Sequence, residues 1–288
     1  MATLREIRRR ISSIQSTQQI TKAMKMVAAA KLRRAQEKII ATRPYAQKLN
    51  ETIGHLIAKS ENVSIPLLEK RQIEKLLIVV VTADRGLCGG FNNNLIRFAV
   101  NQINLNSDYE VQVYPVGKKA FEYFSKRDYT LFSHKTNFFN QLSFEDAKQI
   151  VSNIVDAYQK KNFDKIEIVY NEFKSAVRQI VQAEQFLPFV ADEEILKEKS
   201  QVDFLYEPGK EEILNYIIPK QLNIQMWKIL LESNAAEQGA RMTAMENATE
   251  NADELISYLT LHYNRARQAE ITTEISEIVG GAEALKEQ

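Results

Sequence analysis

Neither glycine nor proline occurs in residues 1–43, and residues 220–288 hold no proline and only Gly239, Gly280 and Gly281. A chain stripped of helix breakers at both ends and punctuated in its middle is built to fold as two long helices around a globular centre. The first helix is expected from about Leu4 to Ser60, with Leu4, Ile7, Ile11 and Ile14 at 3–4 spacing and Ala28, Leu32, Ala35 and Ile39 resuming the same heptad frame. At 1.5 Å per residue it would run about 80 Å. Pro44 is where a kink is expected. Gln18, Thr21 and Lys25 occupy the frame between the two apolar stretches. They are read here as turning away from the rod's own core. The last segment reads as a short helix, Glu211–Ile218, then a long one from Pro219 that meets no strong stop before Gly280. Met242, Met245, Ala252, Ile256, Leu259, Tyr263 and Ala266 mark its seam.

Charge pairs the two ends. Residues 1–34 carry nine basic side chains and one acid, a net of +8, whereas residues 232–288 carry four bases and eleven acids, a net of −7. Two long helices of opposite sign leaving one globular centre predict an antiparallel coiled coil. Over the whole chain the balance is +1, so net charge points to neither nucleic acid nor a membrane surface.

Between the helices, strands and helices alternate. Leu76–Val81 is an apolar run buried on both faces, Phe91–Ile103 is helical and Glu110–Val116 is a second strand. Lys118–Arg127 reads as a helix, Tyr129–His134 as a short strand and Ser143–Lys160 as an amphipathic helix. Lys165–Phe173 and Arg178–Phe189 form a hairpin that adds an antiparallel edge. The fold class is α/β: a central doubly wound, Rossmann-like domain without a nucleotide site, plus the long N- and C-terminal coiled coil. The expected divisions are 1–60, 72–208 and 209–288.

The stretch ADRGLCGGFNNN, Ala83 to Asn94, joins the first strand to a helix and invites a phosphate reading. A Walker loop needs Lys and Ser/Thr after its last glycine, but Gly89-Gly90 is followed by Phe91 and Asn92. The spacing Gly86-x-x-Gly89-Gly90 does not give the dinucleotide fingerprint either. A compact strand-to-helix corner is the preferred reading. Asp84 is the best single acid candidate, with no second carboxylate or base beside it in sequence. His55, His134 and His262 lie in separate segments without metal-ligand spacing. Cys88, the one cysteine, has no partner for an internal disulfide and points to a reducing compartment. No run is long enough for a membrane span, and the basic N-terminus lacks the apolar core of a signal peptide. No residue is assigned to catalysis, a cofactor or a metal. Two other classes stay open on these features: a nucleotide-binding α/β enzyme with a coiled-coil oligomerisation arm, and a nucleic-acid binder using the basic N-terminal arm.

Four stretches carry a resemblance. ITKAMKMVAAAKLRRAQ (Ile20–Gln36), ADRGLCGGFN (Ala83–Asn92), ARMTAMENATENA (Ala240–Ala252) and ITTEISEIVGGAEAL (Ile271–Leu285) together resemble, in order, the gamma-subunit family of the F-type rotary ATP synthase. The region from about Asn106 to Ser200 is much less family-specific. The resemblance implies a non-catalytic rotor shaft. It would stand within the alpha–beta hexamer, rest on the c ring beside epsilon, share its complex with delta, bind no nucleic acid and touch the membrane only through the c ring. That places it peripherally on the cytoplasmic face of a bacterial inner membrane. The resemblance further implies a collar gripping a beta-subunit loop, made of Met24, Lys25, Arg267, Gln268, Thr272 and Glu274, with Arg241 lower on the shaft. Ile275, Ile278, Val279 and Ala282 would be the apolar bearing at the tip. Tyr206 and Glu207, in FLYEP (Phe204–Pro208), would be the foot on the c ring and epsilon. The regulatory cysteine pair of one family variant is excluded by the single cysteine.

Overall fold

The computed structural model describes residues 3–58, 65–190 and 209–284. Helix α1 spans Leu4–Ala58 and carries Pro44 inside it. Its start is fixed by a capping box: Thr3 N donates to Glu6 Oε2 (3.0 Å) and Glu6 N to Thr3 Oγ1 (3.4 Å). Then come β1 (Lys75–Val81), α2 (Phe91–Leu105), β2 (Glu110–Val116), α3 (Lys118–Phe124), α4 (Phe144–Gln159), β3 (Lys165–Phe173), β4 (Gln179–Leu187) and α5 (Lys210–Ala284). Ser143 caps α4 in a second box with Asp146. Among the described residues, no helix is long and apolar enough to cross a membrane.

The strands form one sheet in the order β2-β1-β3-β4. The first three are parallel and β4 lies antiparallel against β3. Alternation along β1 sends side chains to two cores. Leu76, Ile78 and Val80 pack with Leu95 and Ala99 of α2 and with Ala120 and Phe124 of α3. Leu77, Val79 and Val81 pack with Ile150 and Ile154 of α4, Leu222 and Met226 of α5, and Leu32 and Ala35 of α1. Both faces are therefore covered, which is why β1 reads as an unbroken apolar run.

Three expectations fail. Residues 129–134 form no strand; two isolated parallel bridges, Val113 to Leu131 and Val116 to Lys135, stand there. Between them His134 leaves the ladder to stack on Phe121, with ring centroids 4.3 Å apart. Pro219 does not separate two helices but lies inside α5. An internal proline costs about 3 kcal/mol. Leu214, Ile218 and Leu222 around it are fully buried in the larger core, and at about 1.5–3 kcal/mol for each such side chain that burial outweighs the lost hydrogen bond. Nor do Gly280 and Gly281 end α5, which continues to Ala284. Each costs about 1 kcal/mol relative to alanine inside a helix, and no atom lies within 4 Å of where their Cβ would be.

The chain divides into two compact units, Ala28–Arg241 and Met1–Val27 with Met242–Gln288. The first contains the sheet. The second is made of the start of α1 and the distal part of α5.

Candidate functional surfaces

The corner after β1 is closed by the protein's own groups. Asp84, at the strand end where an α/β sheet offers its crevice, accepts three backbone N–H bonds. Lys118 N (3.0 Å) and Asn137 N (2.8 Å) donate to Oδ1, and Phe139 N (3.0 Å) donates to Oδ2. Thr82 Oγ1 accepts from Ala120 N at 2.8 Å. The sequence's acid candidate is thus a structural acceptor holding the start of α3 and the segment before α4. Across the loop, Asn92 Oδ1 accepts from Ala83 N (3.0 Å), and its Nδ2 donates to Arg85 O (3.3 Å). Leu87 and Gly89 take positive φ, 62° and 57°, so the turn needs left-handed backbone at two places. The thiol of Cys88 is buried beside Glu237, and burial first, then that carboxylate, pushes its pKa up, the opposite of what a nucleophile needs.

The loop also grips α5. Ala83, Cys88 and Phe91 pack on Ala236. Arg241 Nη2 donates to Gly86 O at 3.0 Å while Nη1 pairs with Glu237 Oε1 at 2.6 Å. Arg241 is 9% exposed and Glu237 5%. Expected as a surface contact, Arg241 is instead committed within the chain. The Glu–Arg spacing of four on a helix was the signal that could have found this pair.

In the other unit, the polar interruption of α1 turns out to face α5. Gln18 donates to Asp253, Thr21 and Thr249 hydroxyls meet at 2.7 Å, and Lys25 Nζ pairs with Glu246 Oε1 at 2.5 Å. As the α1 number rises the α5 number falls, so the helices run in opposite directions here. Expected to turn away, these residues sit in the seam because each finds a polar partner across it. The apolar frame holds on both sides: Ile7, Ile11, Ile14, Ile256, Leu259 and Tyr263 are all half-buried, and Met245 and Ala252 are buried. Each hydroxyl also has a carbonyl of its own helix in reach, Thr21 that of Gln18 and Thr249 that of Met245, so one proton goes to the backbone and the other to the partner hydroxyl. Thr21→Val alone should therefore cost about 1 kcal/mol, and Thr21→Val with Thr249→Val together less than either change alone. Thermal melts of the single and double variants read this out; strictly additive losses would contradict the pairing.

Of the remaining expected contact residues, Met24 is half-buried and Lys25 is engaged by Glu246. Arg267, Gln268, Thr272 and Glu274 are all exposed, with Thr272 Oγ1 bonded only to Gln268 O, at 2.8 Å. Every residue from 267 to 282 is exposed. Within that stretch Ile275 is 56% exposed, Ile278 70% and Val279 56%, and Ala282 is exposed too. Tyr206 and Glu207 lie outside the described residues. His262 packs on Tyr258, centroids 4.4 Å apart. Among the described residues no cluster of His, Cys, Asp or Glu is placed to hold a metal ion.

Comparison with known proteins bears on these surfaces. A family model described as ATP synthase matches residues 3–285. The ATP synthase gamma chain of Chloroherpeton thalassium is 48% identical over 304 residues, covering 100% of this chain and 99% of that one. Among solved structures, a chain of the Euglena gracilis mitochondrial ATP synthase OSCP/F1/c-ring assembly is 25% identical with a TM-score of 0.69, covering 98% of this chain and 94% of that one. A chain of the Tetrahymena thermophila mitochondrial ATP synthase central stalk and c ring is 30% identical with a TM-score of 0.60, covering 80% of this chain and 99% of that one. Matched along its whole length in sequence and across its long helices and sheet in structure, the chain belongs to the ATP synthase gamma-chain family.

Proposed function

We propose that this chain is the non-catalytic central shaft of a proton-translocating F-type ATP synthase, coupling rotation of the c ring to successive conformations of the beta-subunit catalytic sites. The observation that carries this reading beyond family membership is the bare end of α5. A helix exposed at every residue from 267 to 282, with large apolar side chains among polar ones, suits a sleeve that surrounds it without a single fixed contact. Exposed apolar surface of this kind marks an interaction site. A bearing must also slip past equivalent surfaces in turn, which non-directional apolar contact permits.

On this reading the end helices form an antiparallel coiled coil, supported by the three polar pairs between residues 18–25 and 246–253. The functional divisions are the helix 1–60, the doubly wound domain 72–208 and the helix 209–288. Arg267, Gln268, Thr272 and Glu274, with Met24, form the collar for a beta-subunit loop. Lys25 and Arg241 act there only at the expense of their internal partners. Ile275, Ile278, Val279 and Ala282 form the bearing, and Tyr206 and Glu207 the foot on the c ring and epsilon. Alpha, beta, epsilon and delta are the partners, and the c ring ties the chain to the cytoplasmic face of a bacterial inner membrane. The alternative, a nucleotide-binding enzyme, loses its footing at the glycine corner, which carries neither phosphate-binding fingerprint and where the Asp84 carboxylate is committed to the backbone amides of Lys118, Asn137 and Phe139.

Gln268→Leu and Thr272→Val should lower torque and coupled ATP synthesis several-fold while leaving assembly and melting temperature close to the parent, because both side chains are exposed. Proton-driven synthesis in reconstituted vesicles measures this. Full coupling in the double variant would remove the collar role.

A further inference from the structure

A groove of 490 Å³ runs between α1 and α5 beside the β3–β4 hairpin. Its wall on α1 extends from Ile39 to Ile53, roughly 21 Å at 1.5 Å per residue, and on α5 from Gln221 to Glu232, roughly 16 Å. Gln221, Gln225, Lys228 and Glu232 recur at the spacing that puts them on one face of α5.

The amide donors on this face are already used. Gln221 Nε2 donates to Asn50, and Gln225 Nε2 donates to Glu184 Oε1 at 2.6 Å. Tyr170 donates to Glu184 Oε2 at 2.8 Å. What remains is a row of acceptors: Gln221 Oε1, Gln225 Oε1 and Glu232 Oε2 are buried and have no partner among the described residues. Gln221 is 5% exposed and Glu232 8%. Buried polar atoms in native proteins are nearly always satisfied, so three orphans along one groove ask for a donor. Glu172, Glu184 and Glu232 add carboxylates, while the basic groups, Arg43 and Lys228, are exposed. Lys228 reaches Glu232 only at 3.9 Å. Between the acceptors the wall is apolar, with Ile39, Ile53, Ile224 and Leu231 all buried.

A single metal ion fits this poorly. Gln221 and Glu232 are eleven residues apart on one helix, too far to share one centre, and no cluster suited to a metal is present among the described residues. An elongated ligand that alternates N–H donors with methylenes fits both features. We propose that the groove binds a linear polyamine. Its ammonium groups would be taken by Gln221, Gln225 and Glu232, with its methylenes against the isoleucines and Leu231. Amines separated by three or four methylenes recur at a spacing close to the rise of about 6 Å between Gln221 and Gln225.

The proposal stands apart from the rotor reading, because the isolated chain should bind. Equilibrium dialysis of labelled spermine, whose extended length matches the roughly 16 Å from Gln221 to Glu232, against the purified full-length chain should give saturable binding of one equivalent, with butylamine a poor competitor. Glu232→Gln and Gln225→Leu should each weaken it at least about tenfold, the loss of one charge-assisted hydrogen bond. Should Gln225→Leu fail to fold by releasing Glu184, Glu232→Gln decides, since the amide keeps the shape of the side chain and carries no buried charge. Equal binding by parent and Glu232→Gln would overturn the proposal. So would butylamine competing as well as spermine, or a loss with added potassium chloride that is the same in parent and variant. Binding by the free chain that vanishes in the assembled complex would assign the groove to a partner's side chain and overturn it as well.

Discussion

Gly117→Ala is expected to destabilise the sheet-containing unit by at least about 3 kcal/mol, the largest effect of any single methyl in the chain. Gly117 has φ +105°, in a region L residues rarely adopt, and a Cβ there would lie 2.1 Å from Thr82 O and 2.9 Å from Thr82 Oγ1. Both contacts are far inside van der Waals distance, and the obstacle is backbone at the end of the central strand. Thr82 cannot step aside cheaply, since its N–H is bonded to Val116 O (2.8 Å) and its hydroxyl caps Ala120 N (2.8 Å). Any shift would also loosen Lys118 N from Asp84. Gly86→Ala is the matched control: nothing lies within 4 Å of its Cβ position and its φ is not positive, so its effect should stay within about 0.5 kcal/mol. Urea melts of the two variants decide, and a Gly117→Ala chain as stable as the Gly86→Ala chain would show that the close approach is not real.

The second large effect is at the pin between the glycine corner and α5. Arg241→Met leaves the Glu237 carboxylate buried without its partner and Gly86 O without its donor, a change that costs about 3–5 kcal/mol for a buried pair. Adding Glu237→Gln should restore most of that loss, because a neutral amide beside a thioether carries no unpaired charge. Acidity sharpens the test. Burial raises the Glu237 pKa, Arg241 pulls it back, and Asp84 adds to the rise. Since the folded pKa lies above the unfolded one, the folded chain holds this proton more tightly. That advantage is fully present below the unfolded pKa and is lost as pH rises through the folded value. Removing Arg241 raises the folded value further, so Arg241→Met should be nearly rescued in acid and worst near neutrality. The double variant should show no such slope. Equal losses at both pH values would mean that packing, rather than charge, explains the effect.

The parts of the fold written in periodicity were legible. The heptad positions of α1 and the seam positions of α5 are buried or half-buried, as their 3–4 spacing puts them on one face of each helix. The two-sided burial of β1 was equally plain in its run of six apolar residues. What escaped was decided across space. Gln18, Thr21 and Lys25 look like defects in one helix until Asp253, Thr249 and Glu246 are set opposite them. Pro219 reads as a stop because local propensity cannot see Leu214, Ile218 and Leu222 held in a core. Asp84 reads as a lone acid because its three partners are backbone amides, which carry no sequence signature. The collar and bearing residues on α5 were named by resemblance, and the structure gives only their exposure. The internal partners of Arg241 escaped for the same reason as those of Asp84, since the carbonyl at Gly86 lies 155 residues away.

The central claim is that this chain turns inside the alpha–beta hexamer. Asp108 is exposed in the loop between α2 and β2, while Cys88, the one native cysteine, is buried. Asp108→Cys therefore gives a single accessible thiol for a gold rod. With the hexamer fixed to a surface and ATP supplied, the rod should turn in one direction and pause once per beta subunit. Gln268→Leu with Thr272→Val should turn against less load. A rod that stays still while the same complexes hydrolyse ATP at the full rate would contradict the account.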